Sequence, residues 1–130
     1  MLAEALLAHL VGDYLLQSDW MASEKTLRWW PAIVHGVAYS LPFLLITRSP
    51  WALLVIGGTH VVLDRFRVAK YVIWAKNLIG PREYRPSLKE ALANCGFATT
   101  VPSGLAIALM IVSDNTIHML FNAAALVWLR

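Results

Sequence analysis

Histidine and aspartate residues four positions apart recur inside the apolar parts of this 130-residue chain. The pairs are His9–Asp13, His60–Asp64 and, in the reverse order, Asp114–His118. Residues four apart lie on one face of an α-helix, so each pair presents an imidazole beside a carboxylate. Ionisable groups are costly in apolar surroundings unless they pair or bind a metal. We therefore expect a fold that brings these groups together in one polar centre.

The composition is typical of a helical membrane protein. Hydrophobic residues make up 58% of the chain and charged residues 15%, whereas soluble domains run near 45–50% and about 25%. The apolar runs are rich in Ala and Leu and lack the alternation of strands, which predicts an all-α fold. These runs cover residues 2–16, 31–47, 51–63, 96–113 and 117–129. We predict one domain over residues 1–130, a small polytopic transmembrane helix bundle of about four or five membrane segments, some short or bent.

Two features complicate this bundle. Most apolar runs are shorter than the ~20 residues of a simple span, which leaves a compact soluble helical protein as the alternative. Pro42 predicts a kink in the second run, whereas the third is expected to continue past Asp64 as one helix as far as Gly80-Pro81. Ser113-Asp114-Asn115 predicts a turn or a helix cap before the last run.

Basic residues cluster between the third and fourth runs. The cluster consists of Arg65, Arg67, Lys70, Lys76, Arg82, Arg85 and Lys89. The positive-inside rule places this stretch in the cytoplasm, which in a five-crossing topology puts the N-terminus outside. That topology conflicts with the polar centre, because Asp114 and His118 fall near the outer surface and His60 near the inner one. We nevertheless expect Asp114 and His118 to join the other pairs.

Imidazoles and carboxylates together are metal-ligand chemistry. Seven residues are candidate metal ligands: His9, Asp13, His35, His60, Asp64, Asp114 and His118. A catalytic zinc takes about three protein ligands plus water. Seven candidates therefore indicate either two ions ~3.5–4 Å apart or some residues that only orient the true ligands. The mixed ligand set favours Zn, Mn or Fe. The alternative is that each histidine hydrogen-bonds its neighbouring aspartate for structural reasons.

Three further polar residues continue the same helical faces. Gln17 lies four residues after Asp13, Tyr39 four after His35, and Arg67 three after Asp64. Each is a candidate to orient a ligand or to contact a substrate. The alternatives are an interfacial position for Gln17 and Arg67, and core packing for Tyr39.

Other chemistries find no support in the sequence. The chain has no nucleophile elbow, phosphate loop or dinucleotide fingerprint, and no basic–aromatic motif of a nucleic-acid-binding protein. The basic run from Arg65 to Lys89 is consistent with an anionic substrate, although such runs more commonly contact anionic lipid headgroups and set topology.

The segments HLVGDYLLQSDWMASEK, HGVAYSLPF, THVVLDRFRVAKYVIWAKN and DNTIHML resemble a family of small bacterial and phage membrane proteins, known as domain of unknown function 3307. The resemblance runs from His9 to about Asn122 and implies a multi-pass protein of the bacterial inner (cytoplasmic) membrane. It implies no activity. It singles out His9, Asp13, Gln17, Asp19, Trp20, Lys25, His35, His60, Asp64, Lys76, Asn77, Asp114 and His118. More distantly, the chain is similar to inner-membrane proteins described as metal-dependent hydrolases.

These observations favour a membrane-embedded hydrolase that uses a divalent metal held between its helices. Asp13 or Asp64 is the candidate catalytic residue, because a carboxylate not needed as a ligand can serve as general base. The expected partners are the lipid bilayer and, as substrate, an anionic lipid or a phosphoester; nucleic acid is not expected. The alternative is a non-enzymatic membrane module that interacts with other proteins or handles ions or protons, with structural His–Asp pairs.

Overall fold

The computed structural model describes residues 1–129 and confirms the predicted all-α fold, with no strand in that range. The α-helices are α1 (Leu2–Leu10), α2 (Asp19–Glu24), α3 (Trp29–Ser40), α4 (Pro50–Phe66), α5 (Val68–Asn77), α6 (Leu88–Ala93) and α7 (Ser103–Trp128). A π-helical turn, Val11–Leu15, extends α1, and 3₁₀ turns cover Leu41–Leu45 and Arg82–Tyr84.

The helices form two compact units. The first unit comprises Met1–Phe66 and the part of α7 that begins at His118, and the second comprises Arg67–Ile117. The prediction of a single domain over residues 1–130 stays a prediction.

The core of the first unit combines large side chains from α3, the 3₁₀ turn after it and α4 with small ones from α1 and α7. Tyr39, Phe43 and Ile56 are fully buried. They pack with Ala5, Ala8, Ala125 and Leu126. The alanines of α1 and α7 lack bulk beyond Cβ, so these helices approach closely around the aromatic rings. This core lies beside the polar residues described below.

Local signals in the sequence explain where the helices of the first unit begin and bend. The Ser18 hydroxyl accepts a hydrogen bond from the Met21 N–H at 3.4 Å and caps α2, and Ser49 does the same for Ala52 at 3.3 Å. Side-chain oxygens at this position satisfy helix N–H groups that lack a backbone partner. The 3₁₀ turn after α3 contains Pro42, as expected for a residue without an N–H and with a fixed φ.

The long helix predicted through Asp64 as far as Gly80 is wrong. Arg67 has φ 50° and ψ 49°, so it adopts the left-handed conformation and separates α4 from α5. This conformation costs an L-residue about 1–2 kcal/mol, and periodicity of apolar residues does not reveal it. The helical pattern is present on both sides of Arg67, but it belongs to two helices.

The second unit has a small core of its own. Ile73, Phe97 and Ala106 are buried together. The Trp74 indole N–H donates to the Pro86 carbonyl at 3.2 Å, which ties α5 to the loop before α6. Gly96 has φ 96°, and a Cβ there would lie 2.6 Å from the carbonyl oxygen of Lys70, so only glycine fits.

The turn predicted at Ser113–Asn115 is also wrong, because α7 continues through it. The Ser113 hydroxyl donates to the Leu109 carbonyl at 2.8 Å, and the Thr116 hydroxyl donates to the Val112 carbonyl at 2.7 Å. Polar side chains bonded to the preceding turn are compatible with a continuous helix.

Only one helix among residues 1–129, α7 with 26 residues, is long and apolar enough to cross a membrane. The predicted bundle of four or five membrane segments, and with it a multi-pass topology, is therefore not supported. The physical reason is helix length: α1, α3, α4 and α5 have 9, 12, 17 and 10 residues, against ~20 for a span. The π turn, the 3₁₀ turn and Arg67 interrupt the apolar runs before that length is reached.

We predict that Gly12→Ala destabilises the first unit. A Cβ at Gly12 would lie 2.9 Å from the backbone oxygen of Tyr39 and 2.8 Å from its Cδ2. The Tyr39 backbone oxygen cannot rotate away as a side chain can, so the π turn must move away from α3. Overpacking of this kind lowers the free energy of unfolding by about 1–3 kcal/mol. Thermal unfolding should show a lowered Tm.

Gly58→Ala is the matched control, because a Cβ at Gly58 meets no atom within 4 Å. Alanine is also the better helix former, so this variant should match or exceed the wild-type Tm. Equal Tm values for the two variants would contradict the close packing of Gly12 on Tyr39.

Candidate metal centre

Four potential ligand residues from three elements converge in the first unit. Asp13 comes from the π turn, His35 from α3, and His60 and Asp64 from successive turns of α4. Their ligand atoms all lie within 4.8 Å of one another; His35, His60 and Asp64 are buried, and the Asp13 side chain is 12% exposed. The two α4 residues share a face because they are four apart, and His35 faces them from α3.

The spacing of the ligand atoms fits a single metal ion. Nε2 of His35 lies 3.2 Å from Oδ1 of Asp13 and 3.4 Å from Oδ2 of Asp64, while Nε2 of His60 lies 3.4 Å and 3.2 Å from the same two oxygens. The two Nε2 atoms are 2.9 Å apart. Tetrahedral ligands at about 2.0–2.1 Å from an ion are about 3.3 Å from one another. The donor set and its spacing therefore suit a divalent ion, for which these two imidazoles and two carboxylates are the candidate ligands.

Both histidines turn the same nitrogen towards the centre. The Nδ1 atoms of His35 and His60 are buried and have no hydrogen-bond partner among the described residues. The ring of Tyr39 stacks on the ring of His60 with 3.6 Å between centroids and 15° between planes. This stacking fixes the imidazole plane of His60, so its Nε2 is held in place by packing.

His118 reaches Asp64 from α7. Its Nε2 lies 3.2 Å from Oδ1 of Asp64, whereas His60 contacts Oδ2 of the same carboxylate. His118 is fully buried. It therefore contacts the outer oxygen of a candidate ligand, an arrangement that orients metal-binding carboxylates.

His9 is connected to the centre through Tyr39, which stacks on His60. The Asn122 amide donates to the Tyr39 hydroxyl at 2.6 Å, and that hydroxyl lies 2.7 Å from Nδ1 of His9. Since the hydroxyl accepts from Asn122, it donates to Nδ1, and the proton of a neutral His9 is then on Nε2. That nitrogen is 3.9 Å from Oδ2 of Asp13, beyond hydrogen-bond distance.

Burial and hydrogen bonding act in opposite directions on the pKa values of the two carboxylates, and the histidine hydrogen bonds together prevail. Burial alone raises the pKa of Asp13, but hydrogen bonds from His35 and His60 outweigh it and lower that pKa. Burial likewise raises the pKa of Asp64, and hydrogen bonds from three histidines hold it well below its ordinary value. Burial lowers the pKa of His35, whereas its bonds to both carboxylates raise it. Ionised carboxylates are the form that binds a cation, and protons compete with a cation for His35.

Lys25 and Gln17 lie at the edge of the centre. The Lys25 ammonium is 2.6 Å from Oδ2 of Asp64, 2.6 Å from Oε1 of Gln17 and 3.3 Å from Nε2 of His35. Lys25 lies in the polar stretch after the first apolar run, where periodicity gives no signal. Only the family resemblance pointed to it.

The sequence-predicted site residues therefore fall into three groups. Asp13, His35, His60 and Asp64 meet as potential ligands. The residues that contact them or their neighbours are His9, Gln17, Tyr39 and His118. Arg67 is exposed in the second unit, and Asp114 lies in that unit one helical turn before His118. Participation of Arg67 and Asp114 stays a prediction.

A comparison with protein-family models matches residues 1–129 to the family described as "Protein of unknown function (DUF3307)". The chain belongs to this family. Searches of curated proteins and of solved structures returned no match. The family resemblance predicted from the sequence motifs is thus confirmed, whereas the more distant similarity to metal-dependent hydrolases stays a hypothesis.

We predict that Tyr39→Phe destabilises the first unit by about 1–3 kcal/mol, because buried groups of His9 and Asn122 lose a hydrogen-bond partner. Chemical unfolding followed by circular dichroism measures this. Tyr71→Phe is the control, because Tyr71 is exposed on α5, and it should cost less than about 0.5 kcal/mol. Similar losses in both variants would contradict the role of the Tyr39 hydroxyl.

Proposed function

We propose that this chain is a membrane-associated, metal-dependent hydrolase whose centre consists of Asp13, His35, His60 and Asp64. The observation that carries the proposal is the convergence of four imidazole and carboxylate donors at the mutual spacing of ligands around one ion. Two imidazoles and two carboxylates suit Zn, Mn or Fe.

Exposed apolar surface supports membrane association. In the most apolar stretch of α7, 11% of the residues are buried. Leu120, Val127 and Trp128 are exposed in the first unit, as are Leu7 and Leu15 near the N-terminus. Apolar side chains exposed to this extent require lipid or a protein partner. We propose lipid, with α7 as the segment that enters the bilayer.

Asp13 is the better placed of the two carboxylates to act as general base. Asp64 has both oxygens engaged, Oδ1 by His118 and Oδ2 by Lys25 and His60. Asp13 contacts His35 and His60 through Oδ1, whereas its Oδ2 is 3.9 Å from Nε2 of His9. A catalytic ion takes about three protein ligands plus water, so His35, His60 and Asp64 would hold the ion and leave Oδ2 of Asp13 to accept a proton from an attacking water.

A divalent ion, when bound, supplies Lewis-acid activation of water and of a phosphoryl or carbonyl oxygen. The protein's residues supply the rest. Tyr39 and His118 hold His60 and Asp64 in position, while the apolar core around Phe43 and Ile56 excludes water from the buried side of the centre.

A second candidate function is a non-enzymatic membrane module with a structural polar centre. The observation in its favour is that the Lys25 ammonium already neutralises Asp64 at 2.6 Å. A closed network of this kind stabilises the helix packing or handles ions and protons, and it needs no metal. The two proposals differ in whether a divalent ion binds.

We predict that the purified wild-type protein binds Zn, Mn or Fe with a stoichiometry near one, as determined by elemental analysis. A metal that binds only the folded state stabilises it by about 2.7 kcal/mol at a hundredfold excess over Kd. Chelator should therefore lower the Tm, and Asp64→Asn should abolish both metal binding and the chelator effect.

Asp19→Asn is the matched control for Asp64→Asn, because Asp19 is an exposed carboxylate at the start of α2. It should bind metal as the wild type does. A wild-type protein that contains no metal, with a Tm indifferent to chelator and to added Zn or Mn, would refute the hydrolase and favour the structural module.

We predict that the metal-loaded protein hydrolyses bis(p-nitrophenyl) phosphate, measured by nitrophenolate release. Asp13→Asn, assayed at saturating metal, should lower kcat about 10²–10⁴-fold because the general base is lost. Asp19→Asn should retain wild-type kcat. Equal kcat for the Asp13→Asn variant and the wild type would assign the base to another residue.

A further inference from the structure

Lys25 is the most exposed of the charged side chains that meet at the centre. Its side chain is 16% exposed, compared with 12% for Asp13, 5% for Asp64 and at most 1% for His35 and His60. Its ammonium contacts two of the candidate ligands, Asp64 at 2.6 Å and His35 at 3.3 Å, so a ligand bound at the centre would lie within its reach.

Arg65 fixes the segment that carries Lys25. Its guanidinium donates to the carbonyls of Thr26 at 2.6 Å and Leu27 at 3.2 Å, and it lies 5.4 Å from the ring centroid of Trp29. Since Arg65 directly follows Asp64 on α4, the residues after Lys25 are tied to the helix that provides two of the donors. The ammonium is thus held beside the centre before any ligand arrives.

The charges of the centre indicate what kind of ligand it takes. Asp13 and Asp64 carry two negative charges and Lys25 one positive charge, so the centre with neutral histidines has a net charge of −1. A divalent ion changes this to +1. A buried net charge is costly unless it is compensated, so the loaded centre favours a ligand with a single negative charge.

We propose that Lys25 binds the anionic group of the substrate, and that this group is a phosphodiester. This inference rests on the proposed function, because it requires the metal. A phosphodiester carries one negative charge shared by two non-bridging oxygens, and Lys25 binds one of them. A neutral ester would leave the +1 charge of the loaded centre uncompensated. A phosphomonoester, with a charge of about −1.5 to −2, would leave an excess of negative charge.

Lys25 would change partner on metal binding. Its ammonium pairs with Asp64 at 2.6 Å, and a metal ion held by that carboxylate would leave the ammonium for the substrate. The flexible four-carbon stem of lysine permits this change. Gln17, which is 2.6 Å from the ammonium, keeps it at the edge of the centre.

Two sources supply a phosphodiester, namely soluble phosphodiesters and phospholipid headgroups. The test loads the full chain in detergent with Mn²⁺ and measures the paramagnetic relaxation of ³¹P by NMR. Dimethyl phosphate probes the soluble source, and mixed micelles of phosphatidylglycerol probe the lipid headgroup. Trimethyl phosphate and methyl phosphate are the neutral and the more highly charged comparison ligands.

Mn²⁺ bound to the wild type should relax the ³¹P nucleus of at least one phosphodiester. The half-saturating concentration of that phosphodiester should be lower than those of trimethyl phosphate and methyl phosphate. In Lys25→Gln the half-saturating concentration should rise about tenfold or more, as expected for loss of one charge-assisted hydrogen bond. Mn²⁺ content should be unchanged. Lys25→Arg should restore much of the binding, and Lys89→Gln, which removes an exposed lysine of α6, should behave as the wild type does.

The outcomes separate the inference from the proposed function. Binding of dimethyl phosphate that depends on Lys25 supports a soluble substrate, and binding of phosphatidylglycerol alone supports a lipid. If Mn²⁺ binds but ³¹P relaxation is absent, or is the same in Lys25→Gln, the inference is overturned and the metal centre stands. If the wild type binds no Mn²⁺ and no other divalent ion, the proposed function and the inference fail together. Circular dichroism of each variant verifies its helix content.

Discussion

The first unit is organised around two buried carboxylates that must be neutralised by side chains from other helices. One of them, Asp64, has four such partners: His35, His60, His118 and Lys25. Removal of one partner from a buried pair costs about 3–5 kcal/mol, because the other charge remains without compensation. The positions of α3, α4 and the end of α7 are therefore determined by the same contacts that build the candidate centre.

Tyr39 links this polar centre to the apolar core. Its ring stacks on His60 and packs near Phe43, while its hydroxyl bonds to His9 and Asn122. One side chain thus contributes both apolar burial and hydrogen bonding. This dual role explains how a small unit accommodates four histidines without leaving the polar centre loosely packed.

The sequence predicted the fold class and the residues of the centre, but not their pairing. A spacing of four identifies a shared helix face, and His60 and Asp64 do lie 3.2 Å apart on α4. The close contacts of Asp13 and of His118 are instead made between helices, at 3.2 Å to His35 and to Asp64. Periodicity shows which side of a helix is polar, whereas the neighbour it packs against depends on the tertiary fold.

The misjudged elements have a common cause. Arg67 ends a helix by a backbone conformation, and Ser113 continues one by bonding to the preceding turn. Neither effect changes the pattern of apolar and polar residues. Lys25 was not predicted as part of the centre for the same reason, since it lies between apolar runs and reaches the centre through its long side chain.

The number of residues in the π turn determines how α1 is oriented relative to the rest of the first unit. A hydrogen bond from the Leu16 N–H to the Val11 carbonyl closes this wider turn at 3.0 Å. Deletion of one residue of this turn other than Asp13 would favour a regular α-helix and rotate α1 by about 100° relative to the residues that follow. His9 would then leave the Tyr39 hydroxyl although every side chain of the centre was still encoded. Natural variation in this segment should therefore alter residue identity far more readily than residue number.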